Sequence, residues 1–143
     1  MAITGRIRVL ANAIQAGSDQ VLANYGLTRA DFDILSVLVR SGRALSPTEI
    51  TAQSLISAPG TTKRLQRMIA EDLVRKIENP RDRRGYLIEP TGKAEEVFQP
   101  IVESISAYEQ ELLKELAPRH IIQLTEGLRA LTQVVAQSKQ ARS

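Results

Sequence analysis

Residues 74–89 break the helical periodicity of this 143-residue chain, and they constrain its fold more than any other stretch. Two short runs, Val74 to Glu78 and Tyr86 to Glu89, flank the turn signal Asn79-Pro80 and a tip that carries Arg81, Arg83 and Arg84. Runs containing Val, Ile and Tyr, separated by a turn cluster, read as an antiparallel hairpin. Arginines packed this closely repel one another, so the tip is either a solvated surface or a device held ready for an anion.

Around the hairpin the sequence is helical. Ile3, Ile7, Leu10, Ile14, Gly17 and Val21 recur every three or four positions, a seam over residues 3–24 that Gly26 closes. Thr28, with Asp31 at the capping-box position, opens a second helix whose apolar face is Phe32, Leu35, Leu38 and Val39; Gly42 ends it after Ser41. Ser46, Pro47 and Glu49 form a strong helix start for a short third helix that stops near Ser54. Ser57 caps a fourth helix running to Asp72, in whose first turn Pro59 is tolerated. Its buried face is Leu65, Met68, Ile69 and Leu73; Thr61, Thr62, Lys63, Gln66 and Arg67 fall largely on the others. Beyond Thr91, a long amphipathic helix carries Val97, Ile101, Ile105, Tyr108, Leu112 and Leu116, with Pro100 as an expected bend. Pro118 opens a last helix with the seam Ile121, Leu124, Leu128, Leu131 and Val135, and the tail from Gln137 is expected to fray. With no internal repeat and no long linker, residues 1–143 read as one domain, mainly α with a small β-hairpin.

Charge is placed unevenly. Net charge is +3, but residues 63–93 alone hold nine Lys/Arg against five Asp/Glu, while the flanks nearly cancel. A local basic block is the footprint of a polyanion binder. Other classes are disfavoured. There is no cysteine, which removes disulfides, thiol redox sensing and Cys-built zinc sites, and the single His120 cannot form a His cluster. No nucleophile motif, Gly-rich phosphate loop or acid–base pair with a histidine is present, so we expect no catalytic residues, no cofactor, no metal and no enzyme. No apolar run reaches the ~18 residues of a bilayer span, and the N-terminus lacks the uninterrupted apolar core of a signal peptide. A cytoplasmic chain without a membrane partner is the expectation.

A short helix, a tight turn, a second helix and a basic hairpin together describe a winged helix-turn-helix over residues 28–93. The B-form major groove admits one α-helix, and the candidate is the fourth. Ser57, Ala58, Pro59, Gly60, Thr61 and Thr62 at its start are small or polar and permit close approach. Lys63, Arg64 and Arg67 can neutralise phosphates or reach guanine edges. Arg81, Asp82, Arg83 and Arg84 would form the tip of a wing over the neighbouring minor groove, which attracts arginine where it is narrow. Asp82 would aim the tip, either by pairing with Arg84 or by capping loop amides. The helical regions 1–25 and 94–138 carry more apolar face than a lone small winged helix needs, which points to self-association. A bland alternative is a helical protein-interaction module that keeps the shape without specific DNA binding.

The run from Leu27 to Thr91 resembles the MarR family (multiple antibiotic resistance regulators). "LTRADFDIL" is similar to its second helix, "SPTEITAQSLISAPGTTKRLQRMIAEDLVRK" to its helix-turn-helix, and "NPRDRRGYLIEPTGK" to its wing, through Asp82, Arg84, Leu87, Ile88 and Thr91. Three positions depart from the family pattern: Asp72 stands where glycine is usual, Pro90 where leucine is usual, and Gly92 comes early. The resemblance implies an obligate homodimer built by the N- and C-terminal helices. It also implies a transcriptional regulator, most often a repressor, that reads a pseudo-palindromic operator and is released by a small aromatic or anionic effector. Tyr25, Phe32 and Tyr108 read as core or interface, although such an effector could lie against them.

Overall fold

The computed structural model describes residues 2–54 and 56–141; Arg142 and Ser143, the end of the tail expected to fray, lie outside the described residues. The chain forms two compact units, Met1–Ile105 and Ser106–Ser143.

The first unit contains α1 (Ile3–Ala23), α2 (Arg29–Ser41), α3 (Pro47–Gln53), α4 (Ala58–Ala70), β1 (Val74–Glu78), β2 (Tyr86–Pro90) and the start of α5 (Gly92–Leu113). Capping sets the boundaries of the middle helices. At α2, the Thr28 hydroxyl accepts from the Asp31 amide while the Asp31 carboxylate accepts from the Thr28 amide, and Gly42 closes the helix at φ +63°. The same reciprocal pair, Ser46 and Glu49, opens α3, with Pro47 in the first turn. Glu49 has a second partner: hydrogen bonds from the Arg43 guanidinium, followed by the Ser46 amide, hold its carboxyl below the usual glutamate range. Each such cap contributes about 1 kcal/mol.

The sequence expects α4 to reach Asp72; the structure ends it two residues earlier. Glu71 is the cap residue, and Asp72 takes φ +58°, the only positive φ outside glycine among the described residues. The Leu73 amide then donates back to Met68 and the Asp72 amide to Ile69, the paired bonds that close a helix on a left-handed residue. The family glycine thus marks a real conformational demand, which this chain meets with aspartate.

β1 and β2 pair antiparallel from Val74 opposite Pro90 to Glu78 opposite Tyr86. Pro90, which has no N–H to give, is the last residue of its strand, where that loss costs least. A feature with no signature in the sequence completes the sheet. Leu45 and Ile88 exchange both backbone hydrogen bonds, at 2.9 and 2.7 Å, so the segment before α3 forms a third, one-residue rung against β2.

The core is aliphatic: Leu22, Ile34, Leu35, Leu38, Leu45, Ile50, Leu65, Met68, Val74, Ile88 and Ile101 are all essentially inaccessible. Burying each such side chain stabilises by roughly 1.5–3 kcal/mol. Phe32 stacks on Phe98 at 5.8 Å and packs against this core, and the Tyr25 hydroxyl lies 3.0 Å from Ser104 Oγ. Pro100 sits inside α5 without ending it.

The second unit holds the rest of α5 and α6 (Pro118–Gln140), which runs past the point where fraying is expected to begin. Pro118 is its first residue, as the sequence predicts. No helix among the described residues is long and apolar enough to cross a membrane.

Candidate nucleic-acid interface

The site is built on three supports: the seat of α4 on α3, the flank of α4 against α2, and the wing.

Thr61 is the clearest correction to the sequence reading. The sequence places it on an outer face available to a ligand; in the structure it is fully buried. Its hydroxyl donates to the Ser57 carbonyl at 3.0 Å and lies 2.8 Å from the Thr51 hydroxyl of α3. The helical repeat places Thr61 in line with Leu65 and Met68, so the inner stripe of α4 begins a turn earlier than its large apolar residues reveal. Thr61 therefore joins the two helices and presents nothing outward. Gly60 is also there for an internal reason. A Cβ would sit 3.0 Å from Ser57 Oγ and 3.1 Å from Ile56 Cγ2. Ser57 itself caps the helix by accepting from the Gly60 amide.

Ala58, Pro59, Thr62, Lys63, Gln66 and Ala70 are exposed. The Thr62 hydroxyl is turned back onto the Ala58 carbonyl at 3.3 Å. The two arginines behave differently from Lys63. Arg64 is half-buried, and its Nη1 lies 3.7 Å from Asp31 Oδ1; Arg67 Nη2 lies 3.8 Å from Asp31 Oδ2. Arg67 also donates from Nε to Glu71 at 3.0 Å. Glu71, then Asp31, hold the Arg67 guanidinium protonated beyond the usual arginine range.

The sequence marks Asp31 only as a cap. In the structure it is wholly inaccessible, Oδ2 is taken by the Thr28 amide, and Oδ1 has no hydrogen bond among the described residues. Two guanidinium groups of α4 thus gather around one buried carboxylate of α2. A long-range ion pair between turns so far apart in sequence leaves no local pattern by which to find it.

At the wing, Arg81, Asp82, Arg83 and Arg84 are all exposed on the tip. Asp82 takes the second of its two expected roles: Oδ1 accepts from the Arg84 amide at 3.0 Å, an Asx turn that shapes the tip through its backbone. Asn79 does the same for the Arg81 amide. The strands are braced by a cross-strand Arg75–Glu89 pair at 2.6 Å and by the Lys76 ammonium 4.2 Å above the Tyr86 ring. Ile88 is the buried anchor of the hairpin, while Leu87 is half-exposed. Thr91 fastens the base. Its hydroxyl donates to the Asp72 carbonyl at 2.6 Å and accepts from the Ala94 amide at 3.2 Å, linking the α4–β1 turn to the start of α5. That cap explains why Gly92, the first residue of α5, needs no special conformation.

A helix seated on a short helix and followed by a braced basic hairpin defines a winged helix-turn-helix protein. Over residues 25–85 the chain matches the MarR family model, and it shares its fold with solved MarR proteins. Among curated proteins it is 29% identical over 115 residues to the HTH-type transcriptional regulator PecS of Dickeya dadantii (strain 3937), covering 79% of this chain and 69% of that one. It is 23% identical to the HTH-type transcriptional regulator BilQ of Clostridioides difficile (strain CD3), covering 81% and 78%. Among solved structures, wild-type E. coli MarR in its apo form superposes with a TM-score of 0.80 at 20% identity, covering 92% of this chain and 97% of that one. A mutant E. coli MarR complexed with operator DNA gives 0.75 at 22% identity, covering 89% and 91%.

Proposed function

We propose that this chain is a transcriptional regulator that binds double-stranded operator DNA sequence-specifically as a homodimer. The observation that carries the reading is that α4, whose exposed residues include Lys63, stands directly before a hairpin with three exposed arginines at its tip. An α-helix for the major groove and arginines for the adjacent minor groove are the two elements such recognition requires. The operator-bound E. coli relative shares the fold. Ser57, Ala58, Pro59, Gly60, Thr62, Lys63, Arg64, Arg67, Arg81, Asp82, Arg83 and Arg84 form the proposed contact region, within which Ser57, Gly60 and Asp82 act by shaping backbone. Thr61 leaves this set and becomes its support.

Homodimerisation is supported by apolar side chains left in water. In the first unit Ile3, Val9, Leu10 and Ile14 of α1 are exposed, Ile3 by 73%. In the second, Ile122, Leu124, Leu128, Val134 and Val135 of α6 are exposed by 47–60%. Patches of this kind on a small protein mark association surfaces. Repression, relieved by a small aromatic or anionic effector, is the sense of regulation expected from the family.

The test is titration of the purified protein with labelled DNA from beside its own gene at ~150 mM salt, where specific complexes typically reach ~10⁻⁸ M or tighter. Competition by unrelated DNA should be at least ~10³-fold weaker. Weak, sequence-blind binding would overturn the proposal in favour of a protein-interaction module.

A further inference from the structure

We propose that Gln66 is a base-reading residue of α4 and that Arg64 and Arg67 are withdrawn from base reading by Asp31. This rests on the operator-binding reading above and deepens it. The buried stripe of α4 is Thr61, Leu65 and Met68. At about 100° per residue, the positions opposite that stripe are Pro59, Lys63, Gln66 and Ala70, with Thr62 beside them. Arg64 lies on the flank toward α2, and Arg67 stands between that flank and the outer face. The ion-pair geometry agrees: the acid common to both is Asp31, at 3.7 and 3.8 Å.

The chemistry of the outer face then narrows quickly. Pro59 and Ala70 have no side-chain hydrogen-bonding group. The Thr62 hydroxyl spends its proton on the Ala58 carbonyl. Lys63 is a flexible point charge suited to phosphate or guanine. Gln66 is exposed, and no hydrogen bond engages its side-chain amide among the described residues. On this face it is the residue that offers a free donor and a free acceptor on one planar group. That is the pattern which pairs bidentately with adenine N6 and N7 in the major groove. Arg64 and Arg67 sit too far from Asp31 to hydrogen-bond it, yet both guanidinium groups lie toward that acid of α2, and Arg67 Nε is spent on Glu71. They are placed to meet phosphates bordering the groove, not bases on its floor.

The experiment is binding-site selection from a random duplex library with wild type, Gln66→Ala, Arg64→Ala and Arg67→Ala, followed by affinity measurements on the wild-type consensus. We expect Gln66→Ala to lose preference for an A·T pair at one symmetric position per half-site. Its affinity should fall about 5- to 100-fold for each half-site of the consensus, the cost of removing one bidentate pairing. Changing that A·T pair to G·C should weaken wild type but not Gln66→Ala. Arg64→Ala and Arg67→Ala should keep the full consensus while binding more weakly at every sequence, with a shallower salt dependence. Gln66 is exposed and alanine favours helix, so an unchanged melting temperature accompanies the expected result. An unaltered consensus from Gln66→Ala, or disappearance of a consensus position from Arg64→Ala or Arg67→Ala, overturns the assignment. A wild type that selects no consensus at all defeats the operator-binding reading itself, and the role of Gln66 with it.

Discussion

At the scale of single residues, the structure separates the exposed side chains of the proposed contact region from the buried ones that hold them in place. Asp72 holds a left-handed conformation that costs an ordinary residue about 1 kcal/mol or more and glycine almost nothing. Asp72→Gly should therefore raise stability by roughly 0.5–1 kcal/mol, less the greater chain entropy of glycine; a melting temperature at or below wild type would show the strain is relieved elsewhere. Thr61→Val keeps the shape but removes the hydroxyl shared with Thr51. It should cost about 1–2 kcal/mol by leaving buried polar groups under-bonded, while leaving the selected DNA consensus unchanged, since Thr61 faces no base. Asp33 gives a pH-dependent case. Burial pushes its carboxyl above the usual aspartate value, against the pull of Arg29 and with help from Asp19. A raised folded pKa means the folded state favours the neutral acid: its penalty applies at pH 7 and vanishes as pH falls below 3.8. Asp33→Asn should thus melt higher than wild type at neutral pH, with the gap closing across acidic pH in paired thermal scans. Of these residues, Thr28, Ser46, Pro47, Glu49 and Gly42 are legible in the sequence because caps are local. Thr61 is not, because a small polar residue gives no sign of burial when its partner, Thr51, lies on another helix.

At the scale of elements, the helix boundaries and the hairpin are readable because periodicity and turn chemistry are short-range. The rung between Leu45 and Ile88 is not, since its partners lie far apart in the chain and neither strand pattern demands it. The same holds for the Asp31 cluster. The wing makes its own prediction. Arg84→Ala should weaken operator binding and reduce the salt slope by about 0.9 for each phosphate no longer neutralised; identical slope and affinity would mean the tip does not engage. Asp82→Ala removes no positive charge, yet it frees the Arg84 amide from its turn. It should lower affinity by disordering the tip, and gel-shift titration at two salt concentrations distinguishes this from a charge effect.

At the scale of the whole molecule, seams on α1 and α6 announce apolar faces in the sequence, and the structure leaves those faces in water. Sequence periodicity cannot tell an intrachain core from an interface, because both ask for the same stripe. Leu124→Glu with Leu128→Glu on α6 should shift the protein to monomer in light scattering. In the proposed dimeric mode a monomer has one half-site to engage, so operator affinity should fall by orders of magnitude while thermal melting of the first unit persists. A dimer that survives both charges would place the interface elsewhere.

The backbone exchange between Leu45 and Ile88 has one further consequence. It fastens the chain at a point beyond which the tip, from Asn79 to Gly85, projects free of the core. Length can be added there at little thermodynamic cost, since lengthening a flexible loop grows its closure penalty only logarithmically. The helices behind the fastening would not register the insertion. The reach of the tip and the seating of α4 are therefore separable properties in this chain, and natural or designed variation can extend one without disturbing the other.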